Sequence, residues 1–170
     1  QLYGSYDNVI YEIFNEPLDL DWETVLKPYA EAVIAAIRSE DPDNLIIVGT
    51  PAWSQDVEDA ALDPVDDVNA AYALHFYAGT HGQELRNKAV QALTGNVPLF
   101  VSEWGVSEAD AGGGVFYEET ETWLDFMDSN ALSWCNWSVA DKEETTSIVK
   151  PGTDPLGGWS DEDLTEAGRY

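Results

Sequence analysis

Two glutamates of the sequence stand where buried strands are expected to end. Glu16 follows the apolar run VIYEIF at residues 9–14, and Glu103 follows the run PLFVS. Pro17 comes directly after Glu16, and proline ends a strand ladder because it lacks an N–H group. Taken alone, the first segment is explained slightly better as a polar turn that terminates a strand than as a reactive site. The other strand ends therefore decide between the two interpretations.

Polar and aromatic side chains also follow the other predicted strands. His75 and Tyr77 close the run YALHFY, Trp137 closes LSWCNW, and Trp53 lies in the loop after LIIV. His75 and Tyr77 are two positions apart and therefore share one face of a strand. Because parallel strands end at one edge of a sheet, we expect all these groups to gather at the same rim. A lone strand histidine is more often an ordinary core residue, but this convergence is hard to explain by chance.

A pair of glutamates that face each other across such a rim suits the hydrolysis of a glycosidic bond. In a retaining glycosidase, a protonated carboxyl group donates to the leaving oxygen while a carboxylate about 5–5.5 Å away attacks the sugar carbon. His75 and Tyr77 are candidates to orient the two carboxyl groups by hydrogen bonds. Asn15 is a candidate to bind a ring hydroxyl, and Trp137 to form an apolar floor under a sugar ring.

A parallel α/β architecture would position these residues. Short apolar runs predict five strands, at 9–14, 45–48, 72–76, 98–102 and 132–137. Apolar residues at helical spacing predict helices at 22–37, 82–94 and 116–129, a shorter one after Ser54, and a loop over 143–160. Alternation of strands and helices with right-handed crossovers gives a parallel sheet covered by helices. Five strands are too few to close an eight-stranded barrel, which typically needs about 250 residues.

The composition limits the partners of the chain. It has 33 Asp and Glu against 7 Lys and Arg, a formal net charge of −26, which excludes a general affinity for nucleic acid or anionic membranes. No apolar run approaches the roughly 20 residues of a membrane span. The acidic surface is typical of a secreted or salt-adapted protein, and we expect an extracellular location, although no signal peptide precedes Gln1. We expect no cofactor and no metal, since the acidic segments 56–67 and 161–166 lack ordered calcium-ligand spacing.

Several other conspicuous residues are better explained by packing than by chemistry. Glu12 is predicted to be a buried structural carboxylate, because it lies on the same face of the predicted strand as Glu16 but further from the end of that strand. His81 is predicted to support the site from a loop, and Cys135 to be a small inward-facing residue. Core or helix packing is predicted for three tryptophans: Trp22, Trp123 and Trp134.

The segments VIYEIFNEP, GTPAWSQDV, HFYAGTHGQELR, PLFVSEWGVS and LSWCNWSVADKEE…KPG…GGW together resemble glycoside hydrolase family 5. The resemblance covers essentially the whole chain and is strongest to the bacterial endo-β-1,4-glucanase (cellulase) branch. It implies that Glu16, in Asn-Glu-Pro, is the acid/base and that Glu103, in Ser-Glu-Trp-Gly, is the nucleophile. Three further residues are implied to lie beside the two glutamates: Asn15, His75 and Tyr77. Four are implied to contact the glucan: Trp53, Trp137, Lys142 and Glu144.

The same resemblance implies a partial fold. The family has a full (β/α)8 TIM barrel, and this sequence resembles strands four to eight only. We therefore expect residues 1–170 to form a single truncated catalytic domain, a partial barrel of about five parallel strands with covering helices. An arginine and a histidine that the family places near the carboxylates have no counterpart here. Two unpaired edges and an open interior predict a homo-oligomer that covers the open half-barrel.

The expected function is the retaining hydrolysis of internal β-1,4-glucosidic bonds in a β-glucan polysaccharide or a cello-oligosaccharide. Two alternatives remain open at this point. In the first alternative, the chain is a truncated, inactive or weakly active module that binds glucan through Trp53 and Trp137. The missing strands favour this alternative. In the second alternative, the same chemistry acts on mannan or mixed-linkage glucan. The segment from Lys142 to Glu144 argues against this alternative substrate.

Overall fold

The computed structural model describes residues 3–170, in which five parallel strands form one sheet in the order β1-β2-β3-β4-β5. The strands are β1 (Tyr11–Ile13), β2 (Ile46–Val48), β3 (Ala70–Tyr77), β4 (Leu99–Gly105) and β5 (Ser133–Asn136). Their order in the sheet is their order along the chain, as successive strand–helix units with crossovers of one hand require. The predicted α/β class and the predicted number of strands are confirmed.

Helices connect the strands. They are α1 (Lys27–Arg38), which continues a π-helical turn at Trp22–Leu26, α3 (Val57–Leu62), α4 (Gln83–Thr94), α5 (Tyr117–Ser129) and α6 (Glu166–Arg169). The short segment α2 (Pro51–Ser54) is a single turn whose last three residues have positive φ values. The three long helices lie where the sequence predicts them, and residues 143–160 contain no helix or strand. None of the helices in the described part of the chain combines the length and the apolar character that a membrane crossing requires.

Strand β1 is shorter than predicted, and its end is set by Phe14 rather than by Pro17. Phe14 has a φ of 62°, which breaks the strand and turns its ring towards Tyr29 of α1, at 5.4 Å between ring centroids. Glu12 and Glu16 therefore do not share a strand, and Glu12 is exposed rather than buried as predicted. The Gly49 N–H donates to the Ile13 carbonyl, and a Cβ at Gly49 would lie 1.9 Å from the Phe14 oxygen, so glycine is required there.

Contacts divide the chain into two compact units, with boundaries inside strand β3, at the start of helix α4 and inside strand β4. Unit 1 contains Gln1–His75 and Glu84–Phe100, and unit 2 contains Phe76–Gln83 and Val101–Tyr170. The core of unit 1 includes Trp22, which is buried as predicted and packs edge-on against Tyr72 with ring centroids 5.9 Å apart. Burial raises the pKa of Tyr72 to about 12.

The core of unit 2 is a stack of aromatic rings. Phe76 of β3 lies parallel to Trp123 of α5 at 4.0 Å and nearly parallel to Trp104 of β4 at 5.5 Å, measured between ring centroids. Trp123 is fully buried, as predicted. Trp134 packs edge-on against Trp104 but stays 44% exposed, so of the predicted core or helix packing only a partial burial is found. Trp134 lies on β5, an edge strand of the sheet, and its neighbour Cys135 is also exposed.

We expect the chain to self-associate, because an exposed strand edge that carries an apolar side chain favours pairing with another molecule. Strand β5 leaves Ser133, Trp134 and Cys135 exposed at the edge of the sheet. Multi-angle light scattering at micromolar concentration is expected to give a dimer or a larger species rather than the 18.7 kDa monomer. Trp134→Lys should shift the population towards the monomer, and a clean monomer for the unsubstituted chain would contradict the prediction.

Candidate active site

Glu16 lies in the loop that follows β1 and is held by a histidine of β3. The Nδ1 atom of His75 lies 3.0 Å from Glu16 Oε1, which is hydrogen-bond distance. The His75 ring is buried, whereas the Glu16 side chain keeps 31% of its surface exposed. A carboxyl group that is oriented by a fixed partner and still accessible has the geometry of a proton donor or acceptor.

Glu12 lies near the same imidazole ring. Its Oε1 atom is 3.8 Å from His75 Nε2, which is within ion-pair range but longer than a hydrogen bond. Glu12 and Glu16 thus lie at opposite nitrogens of one ring. The sequence predicted only a structural role for Glu12, and the proximity to His75 is consistent with that role.

The loop of Glu16 is held by the turn after β2. The residues Ala52, Trp53 and Ser54 all have positive φ values, of 53°, 59° and 58°, which cost a residue other than glycine about 1–2 kcal/mol each. Three donors of this turn bind carbonyl groups of the loop: Trp53 N–H binds Pro17 (2.8 Å), Ala52 N–H binds Leu18 (3.1 Å) and Ser54 Oγ–H binds Asn15 (2.9 Å). The same turn leaves the Trp53 side chain 49% exposed.

A second hydroxyl of this segment ties it to β3. Thr50 is fully buried, and its Oγ1 donates to the Ala73 carbonyl at 3.1 Å, two positions before His75. Thr50 and Ser54 were both missed by the sequence reasoning. Their signal in the sequence is weak, because GTPAWSQDV contains no glycine or asparagine at the three left-handed positions.

Glu103 lies in β4 and is held by a tyrosine of β3. The Tyr77 hydroxyl donates to Glu103 Oε1 at 2.6 Å, a short bond of the kind made to a charged acceptor. A Cβ on Gly105 would lie 2.7 Å from the Tyr77 ring, so the glycine of Ser-Glu-Trp-Gly lets the tyrosine lie against β4. The hydrogen bond orients the carboxylate, as an attacking group requires.

His81 supports Tyr77 from the following loop. The Tyr77 backbone N–H donates to His81 Nδ1 at 2.9 Å, and the His81 carbonyl accepts from Trp123 Nε1 at 2.8 Å. Burial lowers the pKa of His81, which favours the neutral ring that an accepting Nδ1 requires. The aromatic core of unit 2 is therefore linked to the residue that holds Glu103.

Three residues that the resemblance implies as substrate contacts lie after β5 in unit 2. Trp137 is 43% exposed, its N–H donates to the Trp104 carbonyl at 2.8 Å, and its peptide bond to Ser138 is cis. Lys142 is exposed, with Nζ 3.8 Å from Glu144 Oε1. These three residues thus present an accessible ring and a pair of opposite charges.

The structure places the predicted site residues in two groups, one in each unit. Unit 1 contains Glu16 with His75, Asn15 and Trp53, whereas unit 2 contains Glu103 with Tyr77, Trp137, Lys142 and Glu144. His75 and Tyr77 are alternate residues of β3, and each of them is the partner of one glutamate within its own unit. Within each unit taken alone, the described residues bring no three His, Cys, Asp or Glu side chains close enough to hold a metal ion.

Comparison with known proteins identifies relatives of the chain. The sequence profile of the cellulase family (glycosyl hydrolase family 5) matches residues 1–143. Endoglucanase A of Evansella cellulosilytica is 53% identical over 171 residues, which cover 99% of this chain and 35% of that protein.

Solved structures agree with the sequence relatives. A structure from Cytophaga hutchinsonii superposes with a TM-score of 0.97 at 50% identity, over 99% of this chain and 55% of that one. A variant of the catalytic domain of Thermobifida fusca endoglucanase Cel5A, solved in complex with cellotetraose, superposes with a TM-score of 0.92 at 34% identity, over 99% of this chain and 57% of that one.

The share of each relative that the chain covers shows how much of the family fold it contains. The chain spans only part of the length of the curated relatives that it matches, about a third in the case of the Evansella protein, at 35%. The structural neighbours are TIM-barrel cellulases of which the chain covers about half, which confirms the predicted partial barrel. With its profile match, its relatives and its fold in agreement, the chain belongs to the cellulase family, glycosyl hydrolase family 5.

Proposed function

We propose that the chain hydrolyses internal β-1,4-glucosidic bonds of cellulose-type glucans with retention, using Glu103 as nucleophile and Glu16 as acid/base. The observation that carries the proposal is the pairing of both glutamates with alternate residues of β3. His75 lies 3.0 Å from Glu16, and Tyr77 lies 2.6 Å from Glu103. The relatives support it, since one is an endoglucanase and another was solved with cellotetraose.

The reaction proceeds in two displacements. In the first, the Glu103 carboxylate attacks the anomeric carbon while Glu16 gives its proton to the departing glucosidic oxygen, which leaves a glycosyl–enzyme ester. In the second, Glu16 takes a proton from a water molecule that attacks the same carbon and releases Glu103. Tyr77 keeps the attacking oxygen aligned, and His75 keeps Glu16 directed at the bond. Neither step requires a metal or a cofactor.

The substrate contacts are assigned to the remaining residues. Trp137 stacks on the glucose ring beside the cleaved bond, and Trp53 stacks on a ring of the leaving group, since both indoles are about half exposed. Lys142 and Glu144 bind hydroxyl groups on the non-reducing side, and Asn15 binds a hydroxyl next to the reacting carbon. A neutral glucan also suits a chain with a formal charge of −26. We propose a secreted location, where such polymers are met.

A second candidate function is glucan binding without turnover. The specific observation in its favour is that the chain covers only about half of the solved catalytic chains, while both half-exposed tryptophans are present. A binding module of this kind would need Trp53 and Trp137 but neither glutamate. The two functions therefore differ in a directly measurable product.

The test combines turnover and binding on one sample. A reducing-sugar assay on carboxymethyl-cellulose and cellohexaose is expected to show hydrolysis, with the β-anomer as the first product by proton NMR. Titration calorimetry with cellohexaose is run beside it, and mannan and mixed-linkage glucan serve as alternative substrates. Binding without reducing sugar supports the module instead, and an α-anomer as first product would overturn the retaining mechanism.

A further inference from the structure

The hydrogen bond from Ser54 acts on the peptide group that leads into Glu16. Ser54 is fully buried, and its hydroxyl donates to the Asn15 carbonyl oxygen at 2.9 Å. That oxygen belongs to the same planar unit as the backbone nitrogen of Glu16. Holding the oxygen therefore fixes the plane from which the Glu16 side chain departs.

The backbone on the other side of Glu16 is held from the same turn. The N–H groups of Trp53 and Ala52 donate to the carbonyls of Pro17 and Leu18 at 2.8 and 3.1 Å. Glu16 is thus bracketed by hydrogen bonds on both sides. The two backbone donors survive any replacement other than proline, whereas the bond to Asn15 depends on the Ser54 hydroxyl. This makes Ser54 the member of the set that a substitution can remove.

The unusual backbone of residues 52–54 also supports a role in holding the loop of Glu16. Residues 52–54 are all left-handed without a glycine among them, and such conformations persist only where the surrounding contacts hold them. Here the left-handed path directs the Ser54 hydroxyl and two N–H groups at one loop.

We propose that Ser54 is a positioning residue for acid–base catalysis, which keeps the Glu16 carboxyl group against His75 Nδ1 and directed at the glucosidic oxygen. The catalytic part of this inference rests on the proposed function. The part that concerns the contact between Glu16 and His75 does not. Without the hydroxyl, the peptide before Glu16 is free to rotate, and the carboxyl group spends less time in its working position.

The first experiment observes His75 directly. The chain has two histidines, so the imidazole ¹⁵N spectrum contains one pair of signals from His75 and one from His81. Ser54→Ala is expected to shift the His75 signals, because the Glu16 contact at Nδ1 is weakened, and to leave those of His81 in place. Unchanged His75 signals, or equal shifts of both histidines as in general loosening, would overturn the proposal.

A matched control and a second variant accompany this measurement. Ser39 also donates its hydroxyl to a backbone carbonyl, that of Ala36 at 2.8 Å, but in an exposed position at the end of α1. Ser39→Ala is therefore expected to change neither histidine. Ser54→Gly removes the same hydroxyl while glycine accepts a positive φ without strain, and it replaces Ser54→Ala if the alanine variant does not fold.

The second experiment separates acid catalysis from general damage. Phenyl β-cellobioside has a poor leaving group that needs a proton from Glu16, whereas 2,4-dinitrophenyl β-cellobioside leaves without one. Ser54→Ala is expected to lower kcat/KM about 10- to 100-fold for the phenyl substrate and to change it little for the other. Equal losses on both would overturn the positioning role. If the unsubstituted chain hydrolyses neither substrate, the proposed function fails for this chain, and the ¹⁵N spectra still decide the positioning.

Discussion

Glu103→Gln is expected to lower kcat/KM on cello-oligosaccharides by at least about 10³-fold, because an amide does not form the glycosyl–enzyme ester. Glutamine has nearly the same shape, and its amide oxygen still accepts the Tyr77 hydroxyl that lies 2.6 Å from Glu103. The fold and the binding of glucan should therefore survive. Reducing-sugar release and calorimetry with cellohexaose on the same preparation measure the two properties separately.

Two further variants sharpen this result. Glu118→Gln makes the same chemical change on an exposed position of α5 and should leave activity as it was. Glu16→Gln removes the proton donor and is expected to cost about 10²- to 10⁴-fold on substrates with poor leaving groups. Normal hydrolysis by the Glu103→Gln chain would show that another residue is the nucleophile.

Trp123→Ala is expected to lower the free energy of unfolding by about 3–5 kcal/mol, the usual cost of deleting a buried tryptophan. Trp123 is fully buried, stacks on Phe76 at 4.0 Å, and donates to the His81 carbonyl at 2.8 Å. Its removal leaves both a cavity and an acceptor without its donor. Since domains are typically stable by about 5–15 kcal/mol, the variant should be close to unfolding. Urea denaturation followed by circular dichroism measures the difference.

The matched control is a tryptophan that is largely outside the core. Trp53 is 49% exposed, and Trp53→Ala should cost about 1 kcal/mol or less because little packing is lost. Equal losses at the two positions would mean that the aromatic stack does not carry the stability of unit 2. A folded Trp123→Ala chain should also hold Tyr77 less firmly, since His81 connects the two residues.

The strands were predicted well where the sequence has unbroken apolar runs. Strands β3 and β4 lie where YALHF and PLFVS predict them, because buried parallel strands need apolar residues on both faces. Strand β1 was predicted too long. The left-handed Phe14 that ends it is neither glycine nor asparagine, so no local signal marks the break, and a contact with Tyr29 of the following helix stabilises it.

The partners of the two glutamates on β3 were predictable from the sequence, whereas the support from the turn after β2 was not. Alternation along β3 was sufficient to place His75 and Tyr77 on one face, and both contact a glutamate. Ser54 could not be predicted, because its role depends on a left-handed turn whose sequence has no turn residue at the required positions. For Trp134 the sequence predicted core or helix packing, but its position on an edge strand leaves it 44% exposed.

Strand β3 makes the proposed chemistry sensitive to a change in its length. Its alternate positions present His75 and Tyr77 on one side and bury Phe76 on the other. Inserting or deleting a single residue ahead of this tripeptide would exchange the two sides, so that both partners turn towards the aromatic core and phenylalanine turns outward. Homologues and engineered variants should therefore tolerate substitutions along β3 far better than the insertion or deletion of one residue in this strand.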